Sequence, residues 1–398
     1  MMLRLLPLCF ALSITSVYAA QPLDLATLQQ QIEDQQQQLD ALKQQLTVQQ
    51  ENQATSPSST MSSVINKTSI GGYGEALFSH LDNSDDQYDA YRFVLYVGHQ
   101  FSDTVRLHSE LEVEHALAGE GAPGEVELEQ MFIEWQYAKN HAISVGQMLM
   151  PVGFVNEFHE PETFYGVKRN PIESNIIPTT WWEGGIKASG QVTPIEGLRY
   201  DVMVNSGLKT TDANIRSGRQ KGAKANAEDL AYTARLRYLN NGFQTGLTYQ
   251  HQTDLGQGDT AQDNAADLIE LHASYQWQGI GLKALYAQWN IDGLSNTVNA
   301  QKSKQEGFFV ETNYRLDDMM GLPLDNIGVF ARYSDWDLAA ANNAQGVNAD
   351  SSIKQWNYGF NYYLTPQVVF KADAQIQDHY DKSKPDADGF TLGMGYSF

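Results

Sequence analysis

The stretch that decides the fold is the last one, Asp388-Gly-Phe-Thr-Leu-Gly-Met-Gly-Tyr-Ser-Phe398. Phe390, Leu392, Met394, Tyr396 and Phe398 alternate with Gly389, Thr391, Gly393, Gly395 and Ser397. A period of two places all the large apolar side chains on one face of a strand and the small or polar ones on the other. A terminal strand with so apolar a face suits a closed membrane barrel. There the outward face meets lipid, and the last strand must pair with the first to leave no open edge.

The same alternation runs back through the chain to Thr68. Sixteen strands are predicted near 68–79, 90–101, 104–116, 126–138, 141–149, 181–193, 197–205, 229–239, 242–251, 267–277, 280–289, 306–316, 326–335, 353–364, 367–378 and 388–398. Most have the roughly 9–11 residues that a tilted strand needs to cross a bilayer, or slightly more. In the third, Val105, Leu107, Leu111 and Val113 point out, and Arg106, His108, Glu110, Glu112 and Glu114 point in. In the fourteenth, Trp356, Tyr358, Phe360 and Tyr362 point out against Gln355, Asn357, Asn361 and Tyr363. Trp135, Tyr137, Trp182, Tyr200, Tyr238, Tyr249, Trp277, Tyr314 and Tyr333 fall near strand ends, where aromatic girdles meet the membrane interface. Tight turns such as Asn240-Asn241-Gly242 and Gln278-Gly279 alternate with long polar loops near 206–228, 252–266, 291–305 and 336–352. The expected fold is all-β, an antiparallel transmembrane β-barrel over 68–398.

Ahead of the barrel, residues 1–19 carry Arg4, a short apolar run and Val17-Tyr18-Ala19, which together read as a secretory signal peptide. Cys9, the only cysteine, lies inside it, so no disulfide framework is available to the mature chain. Over 20–53, Leu25, Ile32, Leu39 and Leu46 share one heptad position, and Leu28, Gln35, Leu42 and Gln49 share the other. This is the pattern of a coiled-coil helix; the alternative is a Gln-rich spacer that is helical only in part. Residues 54–67 form a linker around Thr55-Ser-Pro-Ser-Ser-Thr60. An even strand count puts this N-terminal segment on the periplasmic side.

The composition is acidic, with 48 Asp and Glu against 26 Lys and Arg and a net charge of −22, which argues against a nucleic-acid partner. Acidic external loops suit a surface where divalent cations bridge lipopolysaccharide. No Gly-x-Ser-x-Gly elbow, His-Glu-x-x-His pair or Cys/His cluster is present, so neither an enzyme, a cofactor nor a metal centre is expected. His108 and His159 read as ordinary polar residues.

One connection is out of scale. Residues 150–180 carry apolar residues such as Ile176 and Ile177, unlike the other loops. A loop of this kind needs a surface to pack on, either the barrel interior or a neighbouring subunit. It also carries Glu157, Glu160, Glu162, Lys168, Arg169 and Glu173. The strand pattern turns Arg92, Arg106, Lys187, Arg199, Arg235, Arg237, Arg315, Arg332 and Lys371 inward, together with Glu110 and Glu112. Acids on a loop opposite a basic wall would set a transverse field across a narrow aqueous pore, in which polar solutes align.

The terminal Phe398 behind alternating aromatics resembles the end of outer-membrane barrel proteins, where it is a signal to the barrel-assembly machinery. Over most of 68–398 the chain resembles the trimeric Gram-negative porins, whose third external loop folds inward. Gly146-Gln-x3-Pro151-x-Gly153-Phe154 and the N-terminal coiled coil resemble the phosphate-selective porin O and P family. The resemblance implies a homotrimer embedded in outer-membrane lipid that passes small hydrophilic solutes or ions by diffusion. Members selective for phosphate carry a concentrated Arg/Lys ladder, whereas here Glu110, Glu112 and Glu114 interrupt it. A structural anchor acting through the periplasmic helix is the alternative role.

Overall fold

The computed structural model describes residues 67–259, 263–294, 299–316, 326–342 and 351–398. The signal peptide, the coiled-coil segment and nearly all of the linker lie outside the described residues. Sixteen strands follow one another: β1 Thr68–Leu81, β2 Gln87–Gln100, β3 Val105–Glu114, β4 Val126–Ala138, β5 His141–Leu149, β6 Trp182–Gln191, β7 Leu198–Asn205 and β8 Ala231–Asn240, then β9 Phe243–Gln252, β10 Ala266–Trp277, β11 Ile280–Ile291, β12 Lys304–Arg315, β13 Ile327–Asp337, β14 Ile353–Thr365, β15 Val368–His379 and β16 Gly389–Ser397. Each pairs antiparallel with its sequence neighbours, and β16 returns to β1, closing the barrel. Among the described residues no helix is long and apolar enough to cross a membrane; the strands make the crossing.

Closure is made by the terminal stretch Asp388–Phe398. β16 runs against β1 from Tyr73↔Ser397 to Leu81↔Gly389. Phe398 extends the ladder, donating its N–H to Gly72 O at 2.9 Å and accepting from Gly72 N at 3.0 Å. Its ring stacks on Phe93 and Tyr396, each with centroids 6.4 Å away. Phe390, Leu392 and Met394 face outward and are exposed, as a lipid-facing surface requires. At the turns, Asn241 and Gly242 (φ 47° and 78°) and Gln278 and Gly279 (φ 45° and 81°) take two consecutive left-handed residues. That geometry matches the twist of a two-residue hairpin.

Two details depart from the pattern. Trp182, expected in an aromatic girdle, is 2% exposed. It opens β6 directly after the 150–181 connection and is buried with it. In β4 the register against β3 shifts between Glu110 and Leu111. Val126 and Leu128 are exposed ahead of the shift, and Met131, Ile133 and Trp135 after it, so the alternation changes phase at Gln130. A bulge of one residue has this effect. It turns Glu127 and Glu129 to the buried side.

An apolar core unites the 150–181 connection with several strands and neighbouring loops. Met150, Val152, Ile172, Ile176, Ile177 and Trp181 pack in one cluster with Leu208, Leu255, Trp289 and Phe309. Burying each large aliphatic side chain contributes about 1.5–3 kcal/mol. This accounts for the Ile residues that are out of place in an ordinary surface loop.

Candidate functional site

The connection between β5 and β6 has little regular structure: a 3-10 turn at Pro161–Thr163 and one short helix, α1, Pro171–Asn175. Asn170 caps α1 by accepting from Glu173 N at 2.9 Å, with Pro171 at the first helical position. Glu173 is fully buried. Its carboxylate accepts from Phe154 N at 2.6 Å, Val155 N at 2.8 Å and Asn170 Nδ2 at 2.7 Å. Burial pushes its carboxyl above the ordinary range, although these donors pull the other way. Glu173 therefore holds the segment's own backbone together and presents no charge to solvent.

Inward-facing side chains from several strands reach this segment. Lys371 Nζ donates to Phe164 O at 3.0 Å and Gly166 O at 2.9 Å, and sits 3.8 Å from the Phe164 ring centroid. Arg332 donates to Tyr165 O at 2.7 Å and pairs with Glu311 at 3.0 Å. Asp373 accepts from Val167 N at 2.6 Å. On β16, a Cβ added to Gly393 would lie 2.7 Å from Val167 Cγ1, and one added to Gly395 would collide with Pro161. The small residues of the terminal strand are therefore contact points for the segment. Elsewhere, Arg235 joins Glu157 at 2.6 Å to Asp201 at 2.7 Å, and Lys187 lies 3.6 Å from Glu157. Burial works against ionisation of Glu157, but Arg235 and Lys187 outweigh it and hold the carboxyl at about 2. Tyr96 donates to Glu160 at 3.2 Å.

The remaining charges fall into distinct settings. Arg92 is buried between Glu75 at 2.9 Å and Glu112 at 3.2 Å. Arg106 lies 3.8 Å from Glu134. Arg315 sits over the Tyr363 ring at 4.3 Å, beside Glu162 in a cavity of about 300 Å³. On the turn side a cavity of about 490 Å³ is lined by Arg199, Arg237 and Lys283. Among the described residues none of these three has a carboxylate within 4.0 Å. On the loop side a cavity of about 560 Å³ takes in Lys168, Arg169, Arg216 and Arg219. Arg169 donates to Thr180 Oγ1 at 2.7 Å, Arg216 to Ser174 O and Thr179 O, and Arg219 to Thr180 O. Burial, reinforced by neighbouring Arg216, lowers Arg219 to about 10.

Sequence reasoning missed Arg216 and Arg219, which come from the polar 206–230 loop and carry no periodic signal. It also missed Glu127 and Glu129, which the bulge in β4 conceals. They join Glu110 and Glu112 in a buried acidic wall, where Glu127 pairs with Lys221. Glu110 accepts from Gln130 Nε2 at 2.6 Å and faces His159 of the connecting segment at 3.4 Å.

A closed sixteen-stranded barrel with a lipid-facing exterior and a charged interior is the architecture of an outer-membrane porin. The family model for phosphate-selective porin O and P matches residues 73–398, so this chain belongs to that family. It is accordingly a channel of the Gram-negative outer membrane for passive diffusion of small solutes. An uncharacterized protein of Aquifex aeolicus is 28% identical over 342 residues, covering 80% of this chain and 77% of the relative. Among solved structures, the trimer form of OmpT from Vibrio cholerae matches with TM-score 0.55 at 10% identity, covering 83% of this chain and 99% of that one. OmpF of Salmonella typhi, in complex with daunomycin, matches with TM-score 0.55 at 16% identity, covering 83% and 97%. At these identities the two structures speak for the fold.

Proposed function

We propose that the 150–181 segment forms the constriction of this channel and that the chain works as a homotrimer. The observation that carries the first point is the reach of the segment across the wall. Glu157 is tied to Arg235 on β8, Glu160 to Tyr96 on β2, and Phe164–Val167 to Arg332, Lys371 and Asp373 on β13 and β15. A segment held at points so far apart around the ring narrows the lumen between them. The trimer rests on the family resemblance and on the trimeric OmpT match. The N-terminal segment would lie in the periplasm.

The channel passes small hydrophilic solutes with a preference for anions. What favours this second element is the arrangement of charge rather than its sum. Glu75, Glu112, Glu157, Asp201 and Glu311 are drawn into ion pairs with the buried Arg92, Arg235 and Arg332. On the turn side Arg199, Arg237 and Lys283, with no carboxylate within 4.0 Å among the described residues, are left to meet a passing solute. Zero-current potential under a KCl gradient across a planar bilayer tests it. Conductance steps in threes with an anion-favouring potential, reversed toward cations when Arg199 and Arg237 are replaced by Glu, are expected. A cation-favouring wild type would reject the anion preference, and absent conductance would leave only an anchoring role.

A further inference from the structure

Two of the buried acids take no part in the ion pairs that hold the segment. Glu110, Glu129 and His159 are each 1% exposed. Nearby cations are bonded elsewhere, Arg92 to Glu75 and Glu112, Lys221 to Glu125 and Glu127, and Arg169 and Arg219 to Thr180. His159 Nε2 lies 3.4 Å from Glu110 Oε1 and 3.7 Å from Glu129 Oε2. One ligand atom from each of the three residues lies within 4.8 Å of the other two. His159 Nε2, Glu110 Oε1 and both oxygens of Glu129 have no hydrogen-bond partner. Carboxylates buried without a partner are strongly unfavourable, so the cluster must take up either protons or a cation.

The imidazole is already set for one. His159 Nδ1 lies 3.2 Å from Asn156 O. A carbonyl oxygen can only accept, so Nδ1 carries the proton and Nε2 faces the two carboxylates. Asn156 is itself fixed, donating to Met150 O and Trp181 O and accepting from Trp181 N. The other oxygen of Glu110 is held by Gln130 at 2.6 Å. Outer hydrogen bonds of this kind orient histidine and carboxylate metal ligands. Tetrahedral zinc with bonds of about 2.0–2.2 Å separates neighbouring ligand atoms by about 3.4 Å, close to the two His–Glu distances.

We propose that Glu110, Glu129 and His159 bind a divalent transition-metal ion of the zinc type, which fastens the 150–181 segment to the β3–β4 wall. One imidazole nitrogen with two carboxylate oxygens suits zinc better than calcium or magnesium, which take oxygen ligands. Glu129 lines the loop-side cavity, which gives the ion a route in. The site goes beyond passive diffusion, since it makes the hold on the segment depend on metal supply.

The test is calorimetric titration of the folded full chain in detergent with zinc chloride after chelator dialysis, with bound metal counted by mass spectrometry. About one zinc per chain is expected, with at least tenfold weaker binding in E129Q and in H159Q. Zinc bound with unchanged affinity by both variants, or no stoichiometric zinc on the wild type, overturns the site. The second outcome leaves a proton shared among Glu110, Glu112 and Glu129 as the occupant. X-ray absorption at the zinc edge of the wild type is independent of variant folding: one imidazole among oxygen ligands is expected, and a spectrum without imidazole rejects the assignment.

Discussion

The 150–181 segment meets the barrel wall in two places of opposite character. Against β13 and β15, Lys371 is shared between two carbonyls, Arg332 reaches a third, and Asp373 takes the Val167 N–H. Against β3 and β4, His159 faces two carboxylates and nothing donates to Glu129. Burial is similar at both, yet the first contact is complete in itself and the second is not. Buried charge supports a structure only when its partners are in place. The first contact can therefore be completed by folding alone, whereas the second depends on what the solution supplies.

The sharpest way to break this contrast is at a third buried anchor. Arg235→Ala would strand Asp201 inside the barrel and leave Glu157 with Lys187 alone. It is expected to cost about 3–5 kcal/mol in urea unfolding and to raise single-channel conductance. An unchanged midpoint would show that the pairs are hydrated and the satisfied side is not special. Lys371→Met removes the hydrogen bonds to Phe164 O and Gly166 O, and a loss of about 2 kcal/mol is expected by the same measurement. Glu129→Gln should act in the opposite direction. In the presence of chelator it removes a buried carboxyl that must stay unpaired or take up a proton on folding, and unfolding should shift upward by about 1 kcal/mol. A decrease of that size would mean that Glu129 is already partnered in the metal-free protein.

The smallest expected effect is on pH. Glu157 has its folded carboxyl held down at about 2, below the ordinary 4.5, so its contribution is present above 4.5 and is lost as pH falls toward 2. Glu173 is raised instead. Its contribution is full below 4.5 and fades as pH rises through its folded value. Acidification from pH 5 to 3 should therefore weaken the Arg235 anchor while leaving α1 intact. Conductance should grow noisier in the wild type, and this acid response should vanish in Glu157→Gln. An equal response in that variant would assign the titration to another group.

How far the sequence could be read follows from what each feature depends on. The sixteen strands lie within three residues of their predicted bounds, because lipid outside and water inside impose a period of two and tight turns punctuate it. One extra residue in β4 was enough to hide Glu127 and Glu129, since a phase change leaves no mark in composition. The interior charges were found as a set, but their partners were not. Val167 and Asp373 are 206 positions apart, and no local pattern links them. Glu173 looked like any other loop acid, and only the converging Phe154 and Val155 amides distinguish it.

The terminal strand joins two jobs in one element. Its outer face meets lipid, its edge joins β1, and the bare inner positions Gly393 and Gly395 receive Val167 and Pro161. Closing the ring and seating the segment therefore draw on the same nine residues, and a lesion in either face of β16 disturbs the seal and the narrowing together.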